Sequence, residues 1–159
     1  DVEGSRNRSG SRTPMQWDES QNAGFSVAAK DKMYIPLDSD PDRPNVAKQE
    51  KDENSLLNFV RTLLRLRQTS AAMGNVGEWT LLNQVDQSYP MVYSRFSQGE
   101  KYIVAINPMD KQGTADISAV HATKVTYTFG TSKKSSYKSG KTMDVITIPA
   151  ASAAIFKIE

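Results

Sequence analysis

The run Met91-Val92-Tyr93-Ser94-Arg95-Phe96, the break Ser97-Gln98-Gly99-Glu100 and the run Lys101-Tyr102-Ile103-Val104-Ala105-Ile106 decide the fold class. β-Branched and aromatic residues fill two short segments, and the tetrad between them is polar and carries a glycine, as expected of successive antiparallel strands. Outward from this stretch, similar apolar runs occupy residues 78–82, 114–117, 124–129, 143–148 and 153–158, with further breaks at Asn107-Pro108 and Ser139-Gly140. No helical period reappears after Gly74, so residues 74–159 are expected to form an antiparallel β-sandwich domain. The inward set is expected to include Leu81, Val92, Tyr102, Val104, Ile106, Val125, Tyr127, Ile146, Ile148, Ile155 and Ile158, closing one core between two sheets.

Upstream of the strands lies a strong helical signal. Asp52, Glu53, Asn54 and Ser55 place acids and capping side chains where unpaired N–H groups need them. Leu56, Phe59, Val60, Leu63, Leu64 and Leu66 then recur at helical spacing, with Arg61, Arg65 and Arg67 between them, and the helix should end near residues 68–70. Its apolar face is broad, and nothing N-terminal to it offers a core. Residues 12–51 are irregular, with Pro14, Pro36, Pro41 and Pro44, yet they carry Met15, Trp17, Phe25, Met33, Tyr34, Ile35 and Leu37. That mixture is too apolar for a free linker and reads as a segment covering another surface. The expected organisation is therefore an irregular segment at 1–51, a helix and link at 52–73, and the sandwich at 74–159.

Composition narrows the function. The 159 residues carry 20 Lys plus Arg against 18 Asp plus Glu, a formal balance of +2 that gives no reason to expect nucleic acid as partner. With no cysteine there is no thiolate metal site, no disulfide and no Cys nucleophile, and one histidine, His121, cannot build a metal site by itself. No apolar run approaches the roughly 18 residues of a membrane span, and no cofactor is called for. The compartment is left open. The first residue is Asp1, so the chain reads as processed or as a piece of a longer protein.

The specific signal is Arg12-Thr13-Pro14-Met15-Gln16-Trp17-Asp18 followed by Asn22-Ala23-Gly24-Phe25-Ser26. This compound pattern resembles the α-glucosidase, oligo-1,6-glucosidase, sucrose isomerase and trehalose synthase branch of glycoside hydrolase family 13. Similarity extends loosely through Asn45-Val46, Gln49, the helix at 52–67 and the strand runs at 78–82 and 148–157. The resemblance implies a C-terminal portion of an α-glucoside-acting enzyme: a loop after the last strand of a (β/α)8 barrel, the final barrel helix, and the β-sandwich called domain C. The parent barrel and an α-glucoside or oligosaccharide are then the implied partners. Retaining glycosidases need two carboxyl groups roughly 5 to 5.5 Å apart. In the family these lie on earlier barrel strands, and Asp18 and Glu19 do not match them, so no catalytic residue is assigned. The resemblance carries one substrate-binding residue, Arg12, whose fork suits sugar hydroxyls and carboxylates; a salt bridge holding the loop to the barrel is the plainer alternative.

Weaker signals remain. Asp38, Asp40 and Asp42 alternate as in a calcium loop, but Arg43 and Gln49 stand where that loop needs Gly and Glu. Lys133, Lys134, Lys138 and Lys141, with Tyr137 among them, read as a solvated hairpin tip between two strands. Asn7-Arg8-Ser9 matches a glycosylation sequon. Trp79, Tyr89, Tyr93 and Tyr102 keep open a second class, an independent carbohydrate-binding β-sandwich; coplanar exposed rings would favour it and buried ones a structural domain.

Overall fold

The computed structural model describes residues 12–83, 89–139 and 144–159. The sequon at residues 7–9, and Gly140, Lys141 and Met143, lie outside them. The chain divides into two compact units, residues 1–64 and 65–159.

The second unit is the expected antiparallel sandwich. Strands β1 (Glu78–Leu81), β2 (Met91–Ser97), β3 (Glu100–Asn107), β5 (Val125–Gly130) and β8 (Ser152–Ile158) form one sheet in the order β1-β2-β3-β8-β5. Strands β4 (Gly113–Asp116), β6 (Ser136–Lys138) and β7 (Val145–Ile148) form the other, in the order β4-β7-β6. Each pair is antiparallel. The decisive stretch is a tight hairpin in which Ser97 pairs with Glu100 across Gln98 and Gly99, both at positive φ, the geometry whose twist matches that of the strands.

Between the sheets lie Val92, Ile103, Ala105, Ala154, Phe156 and Ile158 from the first and Ala115, Ile146 and Ile148 from the second, with Ile117 and Val120 at one end. Tyr127 packs edge-on against Phe156, ring centroids 5.8 Å apart. This corrects the expected inward set. On β3 the residues facing the second sheet are Ile103 and Ala105, not Tyr102, Val104 and Ile106, and on β8 they are Ala154 and Phe156, not Ile155. The run Tyr102 to Ala105 is buried on both faces, so alternation could not tell one face from the other. The outer face of β2 and β3 is partly covered by residues 70–77. Arg95 donates from Nε to the Ala72 carbonyl (3.0 Å) and from Nη2 to that of Gly74, and Ser70 Oγ donates to the Glu100 carboxylate (2.7 Å).

The Ser70 hydrogen bond, helped by backbone N–H groups of Ala72 and Ala71, holds the Glu100 carboxyl below the ordinary glutamate value of about 4.5. A carboxylate depressed in the folded state stabilises the fold fully above its unfolded value and loses that contribution as pH falls through the folded one. The stability gap between the chain and Glu100→Gln is therefore expected to be largest above about pH 4.5 and to close on acidification, read from urea midpoints across pH. A gap independent of pH would contradict this linkage.

Strand β6 is a second correction. Tyr137 and Lys138, expected in a hairpin tip, belong to a strand in which Tyr137 pairs with Ile146 and packs on the core. Three residues with one apolar side chain are too short to show periodicity.

Helix α2 spans Leu56–Thr69. Asp52, Glu53 and Asn54 precede the helix, and Ser55 caps it by accepting from Asn58 N (3.2 Å). None of its residues is buried, and Leu56 is 72% exposed.

The segment expected to be largely irregular holds a short helix, α1 (Val46–Lys51). Asn45 Oδ1 accepts from Lys48 N (2.9 Å), while the Gln16 and Trp17 carbonyls accept from Val46 N (3.0 Å) and Ala47 N (2.9 Å). The orphan N–H groups of this helix are thus met by a loop thirty residues upstream, a pairing that local sequence does not announce.

Candidate functional site

The segment that supplies these carbonyls is also the compound motif. Trp17 N and Asp18 N both reach the Ala23 carbonyl (2.8 and 3.3 Å), closing the chain on itself. Asn22, Ala23 and Gly24 then run through left-handed backbone at φ 53, 55 and 71°. Asn22 tolerates this conformation and fixes it, donating from Nδ2 to the Ser26 (2.9 Å) and Ala28 (2.8 Å) carbonyls. At Gly24 a Cβ would also stand 2.8 Å from Asp18 Oδ1. Gly24→Ala is expected to cost roughly 1–2 kcal/mol in the first unit, seen as faster amide exchange over residues 17–28. Unchanged exchange would show that the loop is not held by this turn.

The acids of the motif are occupied structurally. Asp18 Oδ1 accepts from Ser20 N (2.8 Å) and Ser20 Oγ (2.5 Å), which lowers its pKa. Glu19 pairs with Lys48 Nζ at 2.5 Å, and that hydrogen bond likewise lowers its pKa.

Arg12, with Thr13, Pro14 and Met15, forms one wall of a cleft of about 380 Å³. Phe25, Ser26 and Ala28 form another, and Lys32, Met33, Tyr34 and Ile35 close it. The Arg12 side chain is exposed and, among the described residues, makes no ion pair. Phe25 and Tyr34 are 51% and 65% exposed. Sequence reasoning singled out Arg12 alone; Lys32 and Tyr34 join it only because the chain turns back around Ser26, which Asn22 and Gly24 alone hint at. The lining holds two cations and two aromatic rings but no carboxylate. It can grip a hydroxylated or anionic group and stack on a ring, while Asp18 and Glu19 do not line it.

The remaining motifs are placed plainly. Asp38 and Asp40 accept from the backbone N–H two residues on (3.0 and 2.8 Å), and among the described residues no three metal-ligating side chains gather. Trp79 and Tyr93 lie on the outer face of the large sheet, 5.9 Å apart and tilted by 37°. Tyr102 shares that face but is buried, and Tyr89 is 45% exposed. No described helix is long and apolar enough to cross a membrane.

Residues 1–75 match the family described as alpha amylase, catalytic domain. The trehalose synthase/amylase TreS of Mycobacterium tuberculosis is 44% identical over 69 residues, 41% of this chain and 12% of that protein. An oligo-1,6-glucosidase of Heyndrickxia coagulans is 33% identical over 102 residues, 64% of this chain and 18% of that protein. In three dimensions the chain is similar to isomaltulose synthase from Klebsiella sp. LX3, with a TM-score of 0.74 and 22% identity over 96% of this chain and 26% of that one. The trehalulose synthase of Pseudomonas mesoacidophila gives a TM-score of 0.75 at 22% identity, again over 96% of this chain and 26% of that one. The chain therefore spans under a fifth of these curated relatives and about a quarter of these solved structures.

Proposed function

We propose that the chain is the C-terminal part of an α-glucoside-acting glycoside hydrolase or transglycosidase. Residues 1–51 flank the active site of its (β/α)8 barrel, residues 52–73 provide the last barrel helix, and residues 74–159 form the sandwich that stabilises the barrel. One observation carries the reading: the motif from Arg12 to Ser26 lies inside the stretch matching the alpha-amylase catalytic domain and builds a cleft with Arg12 on its wall. In that role the Arg12 guanidinium donates to hydroxyls of the leaving-group or acceptor sugar, and its planar fork fixes the orientation of the bound glucoside. Bond cleavage needs two opposed carboxyl groups, which this cleft does not hold, so they come from the barrel strands of the parent. The names of the relatives, trehalose synthase and oligo-1,6-glucosidase, support an α-glucoside as substrate.

The alternative, an independent carbohydrate-binding module, rests on the aromatic residues Trp79, Tyr89, Tyr93 and Tyr102. The tilt between Trp79 and Tyr93 and the burial of Tyr102 favour the supporting role of the sandwich over a flat stacking platform.

The pure 159-residue chain is expected to leave an aryl α-glucoside intact, while the full-length protein that carries it turns the glucoside over. Turnover by the chain above a buffer blank, or none by the full-length protein, would overturn the proposal.

A further inference from the structure

A row of side chains on the large sheet has no role in this reading. Glu78, Phe96 and Lys101 are direct cross-strand neighbours on β1, β2 and β3, and Thr80 and Ser94 pair in the next row of the same face. That face turns toward the interior of the sandwich, where Val92 is core, and at this end it lines a pocket of about 380 Å³. Ala119 and Val120, from the turn after Ile117, form its opposite side. The Phe96 ring is 43% exposed.

The polar groups around that ring are uncommitted. Among the described residues, Glu78 and Lys101 are in no ion pair, and the side chains of Glu78, Thr80 and Ser94 make no hydrogen bond to the protein. Lys101 Nζ makes a long contact with the Val120 carbonyl (3.4 Å), which places its ammonium at the pocket. The pocket thus offers a carboxylate acceptor, an ammonium donor and two hydroxyls beside an apolar lining of Leu82, Phe96, Ala119 and Val120, with opposite charges that cancel. A net charge of zero selects no ion, and the density of polar groups suits no purely apolar ligand. A pyranose fits both conditions: its axial C–H face can lie on the ring while its hydroxyls exchange hydrogen bonds with the surrounding side chains.

We propose that this pocket, lined by Glu78, Thr80, Ser94, Phe96 and Lys101, binds a neutral hexopyranose unit. The pocket's own chemistry supports the sugar class; the choice of an α-glucoside as probe rests on the function proposed above. The bound ring stacks on Phe96, with Lys101 donating to one hydroxyl and Glu78 accepting from another. A shallow site of this kind holds a single sugar unit with roughly millimolar affinity.

The test is a titration of the isotope-labelled 159-residue chain with maltose, followed by amide chemical shifts. Saturable shifts are expected at Glu78, Thr80, Ser94, Phe96 and Lys101. Phe96→Ala should weaken binding at least about tenfold. Lys101→Gln, which leaves the ring in place, should weaken it severalfold, and unchanged spectra away from the pocket verify its fold. Absence of saturable shifts, shifts centred on Trp79 and Tyr93, equal binding by both variants, or equal binding of the open-chain polyol sorbitol would each overturn the pocket. Loss of the pocket with an active full-length enzyme would overturn this inference alone; binding here with an inactive full-length enzyme would overturn the proposed function alone.

Discussion

Asn107→Ala is expected to lower the stability of the chain by roughly 3 kcal/mol, read as a fall in the urea midpoint of the sandwich at unchanged slope. Asn107 ends β3 and is 1% exposed. Its Nδ2 donates to the carbonyls of Lys111 (2.8 Å), Pro149 (2.8 Å) and Ile148 (3.2 Å), while Oδ1 accepts from Met109 N (3.3 Å). One amide therefore ties the loop after β3 to the turn between β7 and β8, and so holds the two sheets together at that end. Removing it strands the buried Ile148 carbonyl, at about 1–3 kcal/mol, and unties the part-buried carbonyls of Lys111 and Pro149, with contributions that are not strictly additive. Asn107→Asp should be worse near neutral pH, because a carboxylate would face three carbonyl oxygens, and should recover partly in acid as it gains a proton. A loss below about 0.5 kcal/mol for Asn107→Ala would show that the clamp is replaceable.

Arg12→Ala in the full-length enzyme is expected to lower kcat/KM by roughly ten- to a thousandfold, equivalent to about 1.4 to 4 kcal/mol of transition-state stabilisation. The side chain is exposed on the cleft wall and has no ion pair among the described residues, so its removal should leave the melting temperature unchanged. Arg12→Lys keeps the charge but loses the two-pronged donor geometry, and should recover only part of the activity. Kinetics unaltered by both variants would reduce Arg12 to a loop anchor.

The β domain was legible because its strands are short, rich in β-branched residues and punctuated, and the runs at 91–96 and 101–106 have the span of β2 and β3 to within a residue or two. Face assignment was not, since Tyr102, Ile103, Val104 and Ala105 are all buried: one face looks into the sandwich and the other lies under neighbouring chain. Asn107-Pro108 read as a simple break, and nothing local reveals that the Asn107 amide spans 42 residues to reach Pro149. Helix α1 was hidden for the same reason, its N–H groups being met by the carbonyls of Gln16 and Trp17. At the candidate site the motif identified Arg12, but the cleft depends on Lys32 and Tyr34, which arrive by a turn that only Asn22 and Gly24 hint at.

If the loop carries the chemistry and the sandwich the stability, one paired measurement on the full-length protein separates the two. Melting temperature and kcat/KM per folded molecule are determined together for Arg12→Ala and Asn107→Ala. The expected result is a crossed pattern, with Arg12→Ala losing catalysis at an unchanged melting temperature and Asn107→Ala melting earlier with its catalysis intact. A loss of catalysis by Asn107→Ala while it remains folded, together with an unaffected Arg12→Ala, would contradict it.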